Sequence, residues 1–359
     1  MEAGGHVSIS SDDVLVCRMS LRNPFRIGRL CWFSRLHRVA FRHRRRMAKR
    51  LVGRPAKKLF KLVFNAGWFV GQSSFELHVG AEWRTISFSP RNMQFGALYL
   101  PQNQPIYEPE TSALLDILVG NESVFFDIGA NWGYYAVYLA SRDGFQGRVE
   151  AFEPFPSTFQ DLSEIVDQAG LSEKIGIHST ALSDHDGTAG MAVWDGYQSG
   201  LARLGEAENP ETERVEVPLR RLDSLEFPMP DVIKIDAEDH EEEVLSGAKA
   251  LLERARPMLV FENWLHAGNP RLTLGPLHLL ADQGYRFFVI GWYYNEGEGC
   301  VVPKLRSPRE REAFLALIPF LPESRFFLPQ QLNILAVPED KTGFLRELFR
   351  SGTSLTLSS

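Results

Sequence analysis

Val124-Phe125-Phe126-Asp127-Ile128-Gly129-Ala130-Asn131-Trp132-Gly133 is the stretch from which the rest of this chain is read. Its first five residues form an apolar run of strand length, and the run ends in a turn that holds two glycines. A helical pattern over 134–141 follows at once, so the segment opens a strand–turn–helix unit. Gly129 lets the chain turn tightly and approach a ligand with no Cβ in the way, and Gly133 admits close contact where the helix begins. Asp127 sets this loop apart from phosphate-binding loops. A carboxylate beside the glycines repels a pyrophosphate and favours a cationic ligand, such as the amino group and sulfonium of S-adenosylmethionine (SAM). The dinucleotide pattern G-x-G-x-x-G is also not met, because the glycines fall at 129 and 133 only. Glu153 closes the next strand pattern, 26 residues beyond Asp127, where a carboxylate can accept hydrogen bonds from both hydroxyls of a ribose.

Outward from this loop the chain alternates strand and helix patterns. Strand patterns fall at 148–152, 175–181, 232–235, 258–261, 286–290 and 333–337, and helical patterns at 110–118, 157–169, 241–253 and 272–283. Ser157 and Gln160 have capping-box spacing at the start of the 157–169 helix, and Gly170 stands just past its end. This is an α/β pattern: a mostly parallel sheet with helices on both faces, binding its ligand beyond the carboxyl ends of the strands. Ahead of it, residues 66–106 alternate apolar and polar, as in Phe75-Glu76-Leu77-His78-Val79, and read as a β-rich lead-in. The organisation expected is an arm over 1–65, the lead-in over 66–106, a catalytic domain over 107–340 and a tail over 341–359.

The chain has 359 residues, 44% of them hydrophobic and 23% charged, enough for one large core and ordinary for a globular protein. No repeat of solenoid or propeller length is present. Cys17, Cys31 and Cys300 are widely spaced, with no C-x-x-C pair, which fits a reducing compartment and excludes a disulfide framework. The net charge of −6 hides an asymmetry. Residues 1–75 hold 16 Lys and Arg against three acidic residues, a charge of +13; the remainder holds 23 against 42, or −19. All 16 cations lie between Arg18 and Lys61, interleaved with Leu, Phe and Trp. Three readings of this arm stay open. It is a disordered leader or upstream sequence translated only on paper (with Met19 or Met47 as the true start), a segment lying on an anionic membrane surface, or a phosphate-backbone binder. Nucleic acid ranks last, since no base-reading module accompanies the basic run. No apolar stretch approaches the roughly 18–20 residues that span a bilayer, and no secretory signal is present, so the expected location is cytoplasmic, with peripheral membrane contact. Nothing in the composition sets an oligomeric state.

The candidates for chemistry cluster at the ends of the fourth and fifth strand patterns: Asp236, Glu238, His240 and Glu262. Lys234 belongs to the same strand as Asp236 and pairs with one of the carboxylates. Glu241, Glu242 and Glu243 fit a helix N-terminus facing solvent. No metal-ligand spacing is diagnostic, and no metal is expected. The turn-rich stretch 194–200, with Trp194 and Tyr197, is a candidate substrate rim.

These residues resemble the FkbM-type SAM-dependent methyltransferases. Asp127–Ile128 through Gly133 looks like that family's D-x-G-A-N-x-G segment, and Ala151-Phe152-Glu153-Pro154 its A-F-E-P segment. Ala181-Leu182-Ser183-Asp184, Leu222-Asp223-Ser224-Leu225 and the run DVIKIDAEDHE over 231–241 resemble three further motifs, in order, within residues 107–338. One departure stands out: Asp239 occupies the place where the family usually has glycine. The resemblance implies a Rossmann-like class I methyltransferase with a seven-stranded sheet whose last strand inserts antiparallel, residues 291–331 being an excursion before it. It implies that Asp127, Gly129, Asn131 and Gly133 hold the methionine end of SAM, that Glu153 holds its ribose, and that Ala181 and Ser183 lie near its adenine. The expected reaction is O-methylation of a hydroxyl on a saccharide or small-molecule acceptor. A protein that binds SAM without turnover, motivated by Asp239, and a nicotinamide-dependent oxidoreductase are the alternatives.

Overall fold

The computed structural model describes residues 14–41, 52–68, 71–103, 106–193, 202–204, 214–294, 300–302 and 312–351. Its central sheet begins where the sequence predicts, with β5 (Val124–Ile128) flanked in parallel by β6 (Arg148–Phe152) and β12 (Val232–Ile235). Beyond them lie β7 (Ile175–His178) on one side and β13 (Met258–Trp264) on the other, also parallel. These strands are apolar almost throughout because helices cover both faces. β17 (Gln331–Pro338) then inserts between β13 and β14 (Tyr285–Tyr294), antiparallel to both. These seven strands form a mostly parallel sheet with β17 inserted antiparallel near its end.

The sheet is larger than seven strands. β16 (Glu312–Phe320) and β15 (Cys300–Val302), both from the 291–331 excursion, pair with β14, and β1 (Leu15–Ser20) pairs with β16 over six residues, making ten. A smaller four-stranded sheet carries β8 (Ala181–Leu182), β9 (Gly187–Val193), β10 (Ala202–Leu204) and β11 (Arg214–Arg220). The lead-in is the hairpin β3 (Ser73–Val79) and β4 (Glu82–Phe88), joined by β2 (Phe25–Ile27) from the arm.

The arm is therefore corrected. Its described residues are folded, as β1, β2, α1 (Trp32–Phe41) and α2 (Arg54–Asn65), and the lead-in packs through Phe75 and Phe88 into the same core as Trp132. The count of cations hid short apolar patterns: Cys17, Phe25, Phe33, Phe60, Val63 and Phe64 are all buried. The Arg42–Arg46 cluster lies outside the described residues, as does the candidate rim at 194–200. No helix among the described residues is long and apolar enough to cross a membrane.

Helices follow the predicted order with local differences. After the short α3 (Gly96–Tyr99) come α4 (Pro109–Leu118), α5 (Tyr134–Ala140) and α6 (Pro156–Gln168). The capping box is not formed. Pro156 starts α6 one residue earlier, Phe155 holds the cap position, and Gln160 donates instead to Glu164. The single helix expected over 241–253 is two, α7 (Glu241–Ser246) and α8 (Lys249–Ala255). Gly247 separates them where a Cβ would stand 1.9 Å from the Ser183 carbonyl oxygen. α9 (Pro270–Asp282) follows, and the tail forms α10 (Thr342–Ser351), buried through Leu345 and Phe349.

Candidate active site

At the carboxyl ends of β5, β6, β12 and β13 a cavity of about 270 Å³ opens. The glycine loop forms its floor. The loop's backbone is fixed from behind, as the Gly129 and Ala130 amides both donate to the Phe152 carbonyl. Gly129 has φ +74°, and a Cβ there would lie 1.8 Å from the Asp236 carbonyl oxygen. Its first duty is thus to let the β5 and β12 ends pack together, beyond any approach to a ligand. Asn131, with φ 52°, stays in the left-handed region, its Oδ1 accepting from the Trp132 amide at 2.8 Å.

Asp127 is fully buried. Its Oδ2 accepts from the Ala136 amide at 3.2 Å, at the start of α5, while its Oδ1 has no partner among the described residues. Burial pushes its carboxyl up to about 6; Lys234, its register neighbour on β12, pulls it back and Asp236 pushes it further up. An orphaned carboxylate oxygen costs stability unless something charged or hydrogen-bonding meets it. An ammonium donor suits it in charge, although Asp127 is fully buried and is not part of the cavity lining that Gly129 and Asn131 form beside it. Asp127→Ala is therefore expected to fold and to weaken SAM binding by roughly tenfold to a hundredfold, the worth of one charge-assisted hydrogen bond. Calorimetric titration reads this directly, and an unchanged affinity would misplace the methionine end.

Glu153 has a second task that its spacing did not reveal. Its Oε2 accepts from the Asn131 amide at 2.9 Å and its Oε1 from the Phe155 amide at 2.8 Å. It thereby ties the glycine loop to β6, and each oxygen keeps a lone pair for a ribose hydroxyl. Burial lifts its carboxyl to about 7, with both amides opposing. Thr180, Ala181 and Leu182 line the next part of the cavity wall. Ser183 is buried and does not line it; its Oγ shares a 3.0 Å hydrogen bond with His240 Nε2. Ser183 therefore acts on this wall through His240.

The opposite end is built from carboxylates. Asp236, Glu238 and Glu262 bring one oxygen each within 4.8 Å of one another. His240 is not among them: its ring lies between Ser183 and Glu243, and burial lowers its pKa. Lys234 is buried under the group, with Nζ 3.1 Å from Asp236 Oδ2 and 4.9 Å from the centre of the Tyr135 ring. Desolvation opposes its charge, but Asp236, Asp127 and Glu108 outweigh it and raise its pKa. Glu262 takes hydrogen bonds from Trp264 Nε1, at 2.9 Å, and from Gln331 Nε2. Burial first, and Asp236 second, raise its carboxyl to about 7.

Three residues at this end escaped the sequence reading, one of them Gln331, the donor to Glu262. Glu108 precedes α4 with φ 38° and accepts from the Tyr135 hydroxyl at 2.6 Å and from Asn333 Nδ2 at 3.1 Å. Tyr107 stands beside it on the cavity wall. The Glu-Pro pair at 108–109 marks only a helix start, so no sequence signal placed them here. Glu241 is buried rather than facing solvent. Its Oε1 accepts from the Ala237 amide at 3.0 Å, and burial raises its carboxyl to about 8. Asp239, at the family's glycine position, keeps the glycine-like conformation with φ 72° and meets His266 Nε2 at 2.7 Å.

Residues 127–287 match the Methyltransferase FkbM domain, a family whose methyl donor is SAM. The hexuronic acid methyltransferase AglP of Haloferax volcanii is 29% identical over 150 residues, which are 41% of this chain and 57% of that protein. Among solved structures, methyltransferase FkbM of Methylobacillus flagellatus is 18% identical with a TM-score of 0.35, over 55% of this chain and 44% of its own. An O-methyltransferase of Bacillus cereus, in complex with SAH, is 14% identical with a TM-score of 0.33, over 58% and 78% of the two chains. The chain thus spans little more than half the length of AglP and less than half that of the Methylobacillus protein. The match to the FkbM methyltransferase domain covers 127–287, the part of the chain that carries the glycine loop, Glu153 and the carboxylate cluster.

Proposed function

We propose that the protein is a SAM-dependent O-methyltransferase acting on a hydroxyl of a saccharide or small-molecule acceptor. The observation that carries this reading is the pairing of two ends in one cavity: a nucleoside end lined by Gly129, Asn131 and Glu153, with Asp127 buried behind the loop, and a carboxylate end at Glu262. SAM, when bound, supplies an electrophilic methyl group. Asp127 holds its amino group and Glu153 its ribose hydroxyls, which leaves the carboxylate end for the acceptor. An acceptor hydroxyl must lose its proton as it attacks, so a base within hydrogen-bond reach is needed.

Glu262 is that base. A carboxyl lifted to about 7 is half ionised near neutral pH and strong enough to take a hydroxyl proton, while Trp264 and Gln331 fix its orientation. Asp236, anchored by Lys234, supplies the neighbouring negative charge that helps to raise it. Trp264 and Tyr107 offer aromatic faces on which a sugar ring can rest. Kinship with a hexuronic acid methyltransferase supports a saccharide acceptor. The four carboxylates at this end, Glu108, Asp236, Glu238 and Glu262, favour one that brings no carboxylate of its own to the reacting position.

The first test is calorimetric titration with SAM and, in parallel, NADH, followed by transfer of labelled methyl to neutral and uronic saccharides. Saturable SAM binding without an NADH response, and label in a neutral sugar, are expected. The transfer rate should rise with pH through about 7 and level off above it, because the base works only when deprotonated. A folded sample that ignores SAM would defeat the reading.

A further inference from the structure

The pair α1 and α2 is anchored to the body by one face and leaves the other uncovered. Phe33 packs on Phe60 with ring centres 4.9 Å apart, and His37 stacks on Phe60 and hydrogen-bonds Tyr99 at 2.7 Å. Ser34 and Ser73 share a 2.8 Å hydrogen bond, so the pair is joined to the lead-in hairpin as well. On α2 the buried positions are Phe60, Val63 and Phe64. The opposite face carries Arg54, Lys58 and Lys61 along one flank and Leu59 and Leu62 along the other, as helical spacing requires. Leu62 is 67% exposed, Leu59 45%, and Trp68 just beyond the helix 65%. On α1, Trp32, Arg35 and Val39 recur at helical spacing on an exposed face, with Trp32 55% exposed. No acidic residue occurs anywhere from 14 to 75.

From this we infer that the α1–α2 pair docks the enzyme on an anionic phospholipid surface. Lipid phosphates complement the lysines and arginines, and the boundary between headgroups and acyl chains accepts leucine and tryptophan side chains lying among them. A nucleic acid backbone would satisfy the cations yet leave Leu59, Leu62 and both tryptophans in water. The sign of the charge matters equally. The rest of the chain carries −19 and is repelled from such a surface, so this face alone would meet it. The proposal is independent of the methyl-transfer reading.

Co-sedimentation of the full chain with vesicles tests it, using phosphatidylcholine alone and phosphatidylcholine mixed with phosphatidylglycerol. The protein should pellet with the anionic vesicles only. Leu59→Glu with Leu62→Glu, and separately Arg54→Gln with Lys58→Gln and Lys61→Gln, should each weaken partitioning roughly tenfold or more. Thermal unfolding of both variants checks that these exposed substitutions leave the fold intact. Equal pelleting with the two vesicle types, or none with either, would overturn the inference. So would a leucine variant that binds like the parent, above all if transfer RNA displaces it, since the face would then read charge alone.

Discussion

Glu262→Gln should lower the rate of methyl transfer by roughly a hundred- to ten-thousandfold, the range general-base catalysis supplies. The amide keeps the shape of the side chain and can still accept from Trp264 Nε1, so the cavity wall should stay in place. SAM affinity should not change, because Glu262 lies at the carboxylate end, away from the glycine loop that Glu153 ties to β6. The rise of rate through about pH 7 should vanish with the carboxylate. Steady-state kinetics across pH, with titration of SAM alongside, separates these effects. A loss of only a few-fold, with the pH limb intact, would take the base's role away from Glu262.

Gly129→Ala should destabilise the fold more than any other single methyl addition in the loop. A Cβ at 129 would have to push back a backbone oxygen only 1.8 Å away, that of Asp236, and would add the strain of φ +74°. Each of these costs roughly 1–3 kcal/mol, and backbone between two packed strands has little room to yield. A fall in Tm of roughly 5–20 °C is expected for a domain of this size. Gly133→Ala is the internal comparison. Its φ of +87° is as strained, but the neighbour is Leu162 Cδ1 at 2.5 Å, the end of a side chain that can rotate. Its fall should be the smaller one. Equal effects would mean that conformation alone, and no contact with Asp236, sets the need for glycine.

Much of this was legible in the chain itself, for a definite reason. A parallel strand buried on both faces is an apolar run, so a carboxylate at its end, such as Asp127, Glu153, Asp236 or Glu262, stands out at once. The same reading was blind to what packs behind. It assigned Gly129 to the ligand, whereas the Asp236 carbonyl claims the space first. It grouped His240 with the carboxylates because they are near in sequence, although the ring turns to Ser183 across the smaller sheet's edge. Glu108 and Gln331 were missed, because a turn before a helix and the first residue of a distant strand carry no periodic pattern. Asp239, which motivated the reading without turnover, is a bonded partner of His266 in a backbone shape that glycine favours.

The pairing of β1 with β16 has a consequence for how the folded chain behaves in company. β16 reads Glu-Ala-Phe-Leu-Ala-Leu-Ile-Pro-Phe, almost wholly apolar, and Leu315 and Leu317 are completely buried. With β1 in place, the outermost described strand on this side of the sheet is Leu-Val-Cys-Arg-Met-Ser, which carries Arg18 and ends in Ser20. A molecule shortened to Met19 or Met47 would hold its methyltransferase motifs but offer β16's unpaired amides and carbonyls to any extended chain nearby. β1 thus covers an edge that would otherwise invite self-association, with residues from the part of the sequence that looks least like folded protein.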